Sequence, residues 1–363
     1  MNKKILIIGS TGKLGSKLLN YTKKENISVN AITCFTNKKK LLNQTKKFNI
    51  DRSFILSLSS EKDSFLKFLS KSKFSIIYFL DYGSSSLFYL DVILKINNGC
   101  IIAIANKEMI IAGGHLLRNK IIRSKNILLP LDSEHFSIFR LKPTDIETKH
   151  LYITASGGPF YFNKKINLDK VTKKEVVSHP KWKMGINNSI DSSNFINKML
   201  EIFELSIIYN INISKVDFLI SQEAFIHSLI CFKDNTININ CFENDMLLTL
   251  IKPLTEIYGS KQLDINSSKF LNNANLKIEE FSDSRFKISK FIKLLKKLNH
   301  HQQIKFIILN NIAHKKYLDG NLKYNDIIDF IMKNIALNDQ GLDLNSVKNI
   351  LTNAESIKSK YEQ

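Results

Sequence analysis

The chain opens on four consecutive aliphatic residues, Ile5-Leu6-Ile7-Ile8, that break directly into Gly9-Ser10-Thr11-Gly12-Lys13-Leu14-Gly15 and then into a helical pattern through Leu18, Leu19 and Tyr21. A short apolar run without polar alternation suits a strand covered on both faces, which implies a parallel sheet flanked by helices. Glycines between such a strand and a helix permit a tight turn, and the unpaired N–H groups of the first helical turn attract phosphate. The spacing is G-x-x-G-x-x-G, a variant of the dinucleotide fingerprint; the same glycines could also serve tight packing alone.

Further apolar runs at Ser28 to Phe35, Ser75 to Leu80, Cys100 to Ala105 and Ile127 to Leu131 predict more strands of the same sheet. In a doubly wound sheet the carboxyl ends of the strands line the ligand crevice, so the residues that follow each run carry information. After the second run there is no Asp or Glu to hold the ribose 2′-hydroxyl of NAD. Asn37-Lys38-Lys39-Lys40 stands there instead, suiting the 2′-phosphate of NADP, or else forming a solvated lysine run that opens a helix. Asn106-Lys107-Glu108 follows the run ending at Ala105. Asp132-Ser133-Glu134-His135 follows the last run, and carboxylates at i and i+2 of an extended segment share a side. Such a pair suits Mg²⁺ or Mn²⁺, and Asp132 equally suits the cap of a helix starting near His135.

The middle of the chain has a strand, Leu151 to Ala155, leading into Ser156-Gly157-Gly158-Pro159, whose free N–H groups can nest an anion. His179-Pro180-Lys181-Trp182-Lys183-Met184-Gly185 holds the only Trp in a segment without period, as expected of a lid, although a lone Trp also suits a core. Asp191-Ser192-Ser193 leads into a helix on which Asn197 and Glu201 share a face, with Lys198 beside them. Strands near Asp217 to Ile220, Leu229 to Phe232 and Thr236 to Asn240 predict a mainly antiparallel sheet. A polar linker is expected over 264–284, and from Arg285 the stripe Phe286, Phe291, Leu294, Leu295 and Leu298 predicts a terminal helical bundle.

Composition narrows the partner classes. With 363 residues, 44% of them hydrophobic, the chain is too apolar for a disordered basic tail, although its net charge is +20. Arginine stands only at Arg52, Arg118, Arg123, Arg140 and Arg285, so nearly all of the basic charge is lysine. Base-edge readers favour the arginine fork, and abundant Lys, Asn and Ile together are what AT-rich codon usage produces. Nucleic acid is therefore not expected as the main ligand. Cys34, Cys100, Cys231 and Cys241 form no C-x-x-C pair, which suits a reducing compartment, and no apolar run is long enough for a membrane span or a signal peptide. A cytoplasmic protein is expected.

Taken in order, GSTGKLG, ANKE, LLPLDSEH, ASGGPF, HPKWKMG, DSSNFINKMLE, IHS and the helical tail resemble the 1-deoxy-D-xylulose 5-phosphate reductoisomerase family over nearly the whole chain. The resemblance implies an α/β protein with a Rossmann-like NADPH domain at 1–132, a catalytic and dimerisation domain of α+β type at 133–263 with a lid near 179–189, the linker, and a C-terminal helical domain at 285–363. It implies NADPH bound by Gly9, Ser10, Thr11, Gly12 and Leu14, with Asn37, Lys38, Asn106, Glu108 and Gly185 on the same side. It implies Mg²⁺ or Mn²⁺ held by Asp132, Glu134 and Glu201. The substrate phosphate would lie on Ser156, Ser192, Asn197 and Lys198, with Lys107 and Ser133 beside the metal and His179, Trp182 and Met184 on the lid. His227 is either a further site residue or a core or interface histidine. The activity implied is rearrangement and reduction of 1-deoxy-D-xylulose 5-phosphate to 2-C-methyl-D-erythritol 4-phosphate by a homodimer.

The chain departs from the family pattern at Phe35-Thr36-Asn37, from Asp81 to Ser86, from Ser221 to Ala224 and from Leu247 to Leu250. Two rival classes remain at this stage. One is a reductoisomerase-like scaffold without catalysis that uses its lysines to bind an acidic partner. The other is a different NADP-dependent dehydrogenase, which would leave the three carboxylates and the S-G-G nest unexplained.

Overall fold

The computed structural model describes residues 3–178, 185–259, 277–335 and 343–362. The first half forms a six-stranded, all-parallel sheet of strands β1 (Ile5–Ile8), β2 (Ala31–Cys34), β3 (Arg52–Ile55), β4 (Ile76–Phe79), β5 (Ile101–Ile104) and β6 (Ile127–Pro130), in the order β3-β2-β1-β4-β5-β6. β1, β2, β4 and β5 are buried along their whole length, as unbroken aliphatic runs require. β3 is not among the strands expected from sequence, because it is an edge strand whose Arg52 is exposed and Ser53 half-buried, so it shows no apolar run.

By contact the chain divides into two units, Met1–Phe139 with Asp245–Asn266, and Arg140–Asn244 with Ser267–Gln363. The helix Met246–Tyr258, which the linear division assigned to the catalytic domain, belongs to the first unit. Its Leu250, Ile251 and Leu254 share a core with Ile5, Ile7 and Tyr78, and the Tyr78 hydroxyl donates to the Leu250 carbonyl at 2.9 Å. Nothing local in the helix announces that return, because an amphipathic pattern names a buried face but not the partner that buries it.

The second unit carries a five-stranded sheet of β7 (Thr148–Ala155), β8 (Val216–Ile220), β9 (Ile226–Phe232), β10 (Ile237–Cys241) and β11 (Glu279–Glu280), in the order β10-β9-β7-β8-β11. β7 and β8 pair in parallel, and every other pair is antiparallel, in keeping with the mainly antiparallel expectation. Two expectations need correction here. The end of the supposed linker is structured: Glu279 and Glu280 pair with Ile220 and Leu219 as the sheet edge. The stripe from Phe286 to Leu298 is not one helix but a 3₁₀ turn, Lys287–Lys290, and one helical turn, Ile292–Leu295. The first long terminal helix, His300–Leu318, begins only after Asn299, whose side chain and that of Gln302 cap one another's backbone N–H groups. Ile327–Asn334 and Val347–Tyr361 complete the described helical part.

Candidate active site

In the first unit the sheet order reverses between β1 and β4, which opens the crevice where ligands of such sheets bind. Gly9 sits there with φ +85°, and a Cβ on it would stand 2.6 Å from the Asp81 main-chain nitrogen. Gly15 lies against the turn, its missing Cβ 2.5 Å from Ser10 Cα, so the helix Lys13–Lys24 can approach the strand only with glycine there. Gly12 and Lys13 are exposed, Thr11 is half-buried, and Leu14 packs half-buried on the core. Ser10 faces inward: its N–H donates to the Thr33 carbonyl, and its hydroxyl donates to Gln44 Oε1 at 2.8 Å. Asn37 caps the helix Lys38–Lys47 by accepting from Lys40 N at 3.1 Å, and the side chains of Asn37 and Lys38 are exposed.

Asp81 is not among the site residues expected from sequence, although it lies in one of the segments that depart from the family. At the end of β4 its carboxyl accepts from the Ser86 hydroxyl and, at 3.3 Å, from the Asn106 amide. Burial pushes its pKa up to about 6, against the lowering effect of those hydrogen bonds. The same Asn106 caps the helix Lys107–Arg123, accepting from Met109 N at 2.9 Å, and Glu108 is buried in its first turn. A half-buried acid beside a glycine turn has no sequence signature beyond replacing small residues.

Asp132 follows β6 and accepts from Lys107 Nζ at 2.5 Å, from Glu134 N at 3.1 Å and, at 2.8 Å, contacts His135 Nδ1. The chain turns into the helix Ser133–Phe139 at once, so Glu134 stands in a first helical turn and not on an extended segment as expected. The two acids still come together, with carboxylate oxygens within 4.8 Å of one another, because Asp132 caps the helix that carries Glu134. Cap and acid pair are therefore one arrangement rather than alternatives. Ser133 donates its hydroxyl to Glu134 Oε2 at 2.5 Å.

In the second unit the S-G-G loop leaves β7 with Gly157 at φ +86° and Gly158 at φ +58°. A Cβ on Gly158 would stand 3.0 Å from the Ser192 carbonyl oxygen, so the loop runs alongside the end of the helix Ile186–Ser193, capped by Gly185. The next helix, Ile196–Tyr209, presents Asn197, Lys198 and Glu201. Lys198 Nζ donates to the Thr154 carbonyl at 2.8 Å and pairs with Glu201 at 2.6 Å, and the Asn197 amide donates to Glu201. The i, i+4 face read from sequence is thus present. Ser156, Gly158, Phe160, Phe162 and Gln222 line an open cleft of about 690 Å³. His227 is buried in β9, stacked on Phe242 with its Nε2 3.2 Å from the Phe242 carbonyl, a core setting. His179, Trp182 and Met184 lie outside the described residues.

A parallel sheet with a glycine turn at its point of reversal and an acid pair beside a lysine in one unit, and a glycine loop close to a helix that carries a second lysine–carboxylate pair in the other, define the class of doubly wound α/β proteins that bind dinucleotides. Residues 128–209 match the family profile described as 1-deoxy-D-xylulose 5-phosphate reductoisomerase C-terminal domain. The chain is 30% identical to the 1-deoxy-D-xylulose 5-phosphate reductoisomerase of Clostridium novyi over 99% of both chains, and 32% identical to that of Malacoplasma penetrans over 99% of this chain and 95% of the other. The chain belongs to the 1-deoxy-D-xylulose 5-phosphate reductoisomerase family. Solved structures share the fold: the Zymomonas mobilis reductoisomerase in complex with NADPH (TM-score 0.81, 22% identity, 100% of this chain and 98% of that one). A second, DOX-P reductoisomerase in complex with NADPH, fosmidomycin and magnesium, matches with TM-score 0.86 and 21% identity over 99% of this chain and 97% of that one.

Proposed function

We propose that the protein converts 1-deoxy-D-xylulose 5-phosphate to 2-C-methyl-D-erythritol 4-phosphate, using NADPH and Mg²⁺ or Mn²⁺, in non-mevalonate isoprenoid biosynthesis. The observation that carries this reading is the alignment of the chain with the family over 99% of its length, supported by two local arrangements. These are Asp132 and Glu134 beside Lys107 in one unit, and Asn197, Lys198 and Glu201 beside the S-G-G loop in the other.

The donor set fits a hard divalent cation: Asp132 and Glu134 offer carboxylate oxygens within 4.8 Å of each other, and Glu201 is the third acid assigned to the same ion. When bound, that ion draws electron density from the substrate oxygens, and NADPH supplies the hydride. Lys107 offsets the mutual repulsion of the acids and holds Asp132 in one orientation. Ser133 fixes one oxygen of Glu134. Ser156, Ser192, Asn197 and Lys198 hold the substrate phosphate through hydroxyl, amide and ammonium donors, the mix a dianion needs. The turn at Gly9, Thr11, Gly12 and Leu14 receives the dinucleotide, with Asn37 and Lys38 toward its 2′-phosphate. His179, Trp182 and Met184 are assigned to a lid that excludes water.

A homodimer in the cytoplasm is part of the same reading. Among the described residues no helix is long and apolar enough to cross a membrane, and the four cysteines are free. The test is NADPH oxidation by the purified protein with 1-deoxy-D-xylulose 5-phosphate and each metal, with product identified by mass and chromatography. No NADPH consumption with either metal, by a protein shown to be folded, refutes the proposal.

A further inference from the structure

The segment 281–286 straddles the end of the supposed linker, yet it touches both sides of the proposed phosphate pocket within one unit. Arg285 sends its guanidinium into the loop that follows S-G-G. One terminal nitrogen donates to the Asn163 carbonyl at 2.9 Å, and the other to the carbonyls of Phe160 at 3.2 Å and Tyr161 at 3.1 Å. Asp283 holds the fork in place, accepting from Arg285 Nε at 3.1 Å and from the second terminal nitrogen at 2.7 Å, and it also pairs with Lys164 at 2.8 Å. Although burial alone would raise the Asp283 pKa, the hydrogen bonds from Arg285 and Lys164 keep this carboxyl well below the usual range.

The loop so gripped is continuous with the nest. Tyr161 N donates to the Gly157 carbonyl at 3.2 Å, and the Phe162 ring lies 2.7 Å from where a Gly157 Cβ would be. On the other side Phe281 and Phe286 pack on Phe195, with ring centroids 4.5 and 4.8 Å away. Phe195 holds the left-handed φ of 67° immediately before the helix that presents Asn197 and Lys198. A non-glycine residue keeps that conformation only where its surroundings over-determine it.

We infer that Arg285 is the positioning residue of the phosphate pocket: it ties the S-G-G loop to the segment that also packs the start of the Asn197–Lys198 helix, so that the donors stand in place before substrate arrives. The inference rests on the reading that Ser156, Ser192, Asn197 and Lys198 hold the phosphate. A planar fork with five donors can serve three carbonyls and a carboxylate at once, whereas an ammonium is a point donor, so lysine cannot replace it. Preorganisation of this kind shows in substrate affinity, since a loose loop must be ordered on binding.

The test uses the full-length protein with bound metal, as Arg285→Lys and Arg285→Ala, the first guarding against a variant that fails to fold. We expect KM for 1-deoxy-D-xylulose 5-phosphate and Ki for inorganic phosphate to rise together about tenfold, equivalent to about 1.4 kcal/mol, in both variants. Over the same comparison, kcat should stay within about threefold and the NADPH Kd within about twofold. Methylguanidinium should restore the Ala variant and leave the Lys variant unchanged. Lower kcat and NADPH affinity without a selective phosphate defect would mark Arg285 as a general scaffold residue and overturn the inference, as would unchanged KM and Ki. Ser192→Ala and Lys198→Ala separate the two levels. If they leave phosphate binding untouched, the pocket assignment itself fails; if they weaken it while Arg285→Lys does not, only the role of Arg285 fails.

Discussion

Replacing Gly9 by alanine tests whether the glycine turn at the sheet reversal is a packing necessity. Its φ of +85° costs an L-residue about 1–2 kcal/mol. The added Cβ would meet the Asp81 nitrogen at 2.6 Å and the Leu80 carbonyl carbon at 2.8 Å. Both neighbours are main chain at the end of a central strand, so neither can swing aside as a side chain could, and overpacking adds about 1–3 kcal/mol. The sum, about 2–5 kcal/mol, corresponds to a fall in Tm of roughly 4–20 °C at about 2–4 °C per kcal/mol. Relief comes by pushing the turn off β4, which moves the N–H groups that would face the cofactor, so NADPH affinity should drop about tenfold or more. Gly12→Ala is the internal control. Gly12 has φ −66° and its Cβ would meet the Gly9 carbonyl oxygen at 3.4 Å, an ordinary contact, so its stability should change by about 0.5 kcal/mol or less. Thermal unfolding and titration of NADPH fluorescence read both effects. A Gly9→Ala protein with the Tm and NADPH Kd of the parent would refute the reasoning.

Three further outcomes are expected. NADPH should exceed NADH in kcat/KM by about tenfold or more, with the ratio narrowing in Lys38→Ala; equal values for the two cofactors would remove the assigned role of Asn37 and Lys38. Asp81 holds its proton in the folded chain up to about pH 6, while an unfolded Asp releases it near about 3.9, so its stabilising contribution is present below that lower value and is lost as pH rises through 6. The Tm advantage of Asp81→Asn over the parent should therefore grow between about pH 4 and 6.5 and then level off; a constant difference across that window would sink the assignment. Glu201→Gln should weaken Mn²⁺ binding and reduce turnover by about 10³-fold or more, with the NADPH Kd changed less than about twofold, and full activity in that variant would overturn the metal assignment.

Much of this molecule was legible in order of residues alone. β1, β2, β4 and β5 are aliphatic because both their faces are covered, and that requirement leaves its mark in every position of the run. The face shared by Asn197 and Glu201 follows from helical period, and Gly9 and Gly15 from close backbone approach. Tertiary structure alone decided the rest, because those features depend on partners distant in the chain. Met246–Tyr258 returns to the first sheet through Leu250 and Leu254, and β3 is a strand only because β2 offers it an edge. Asp132 and Glu134 meet through a helix cap and not through strand alternation. Asp81 acquires its raised pKa from burial beside Gly9, a property of the enclosure and not of the residue. Arg285 reads as the first residue of the terminal helical part, just past a polar linker, until Phe160, Tyr161 and Asn163 bring their carbonyls to it across more than a hundred residues. Local pattern reports what a residue needs, either cover or solvent; which distant backbone or charge meets that need is settled only when the chain closes on itself.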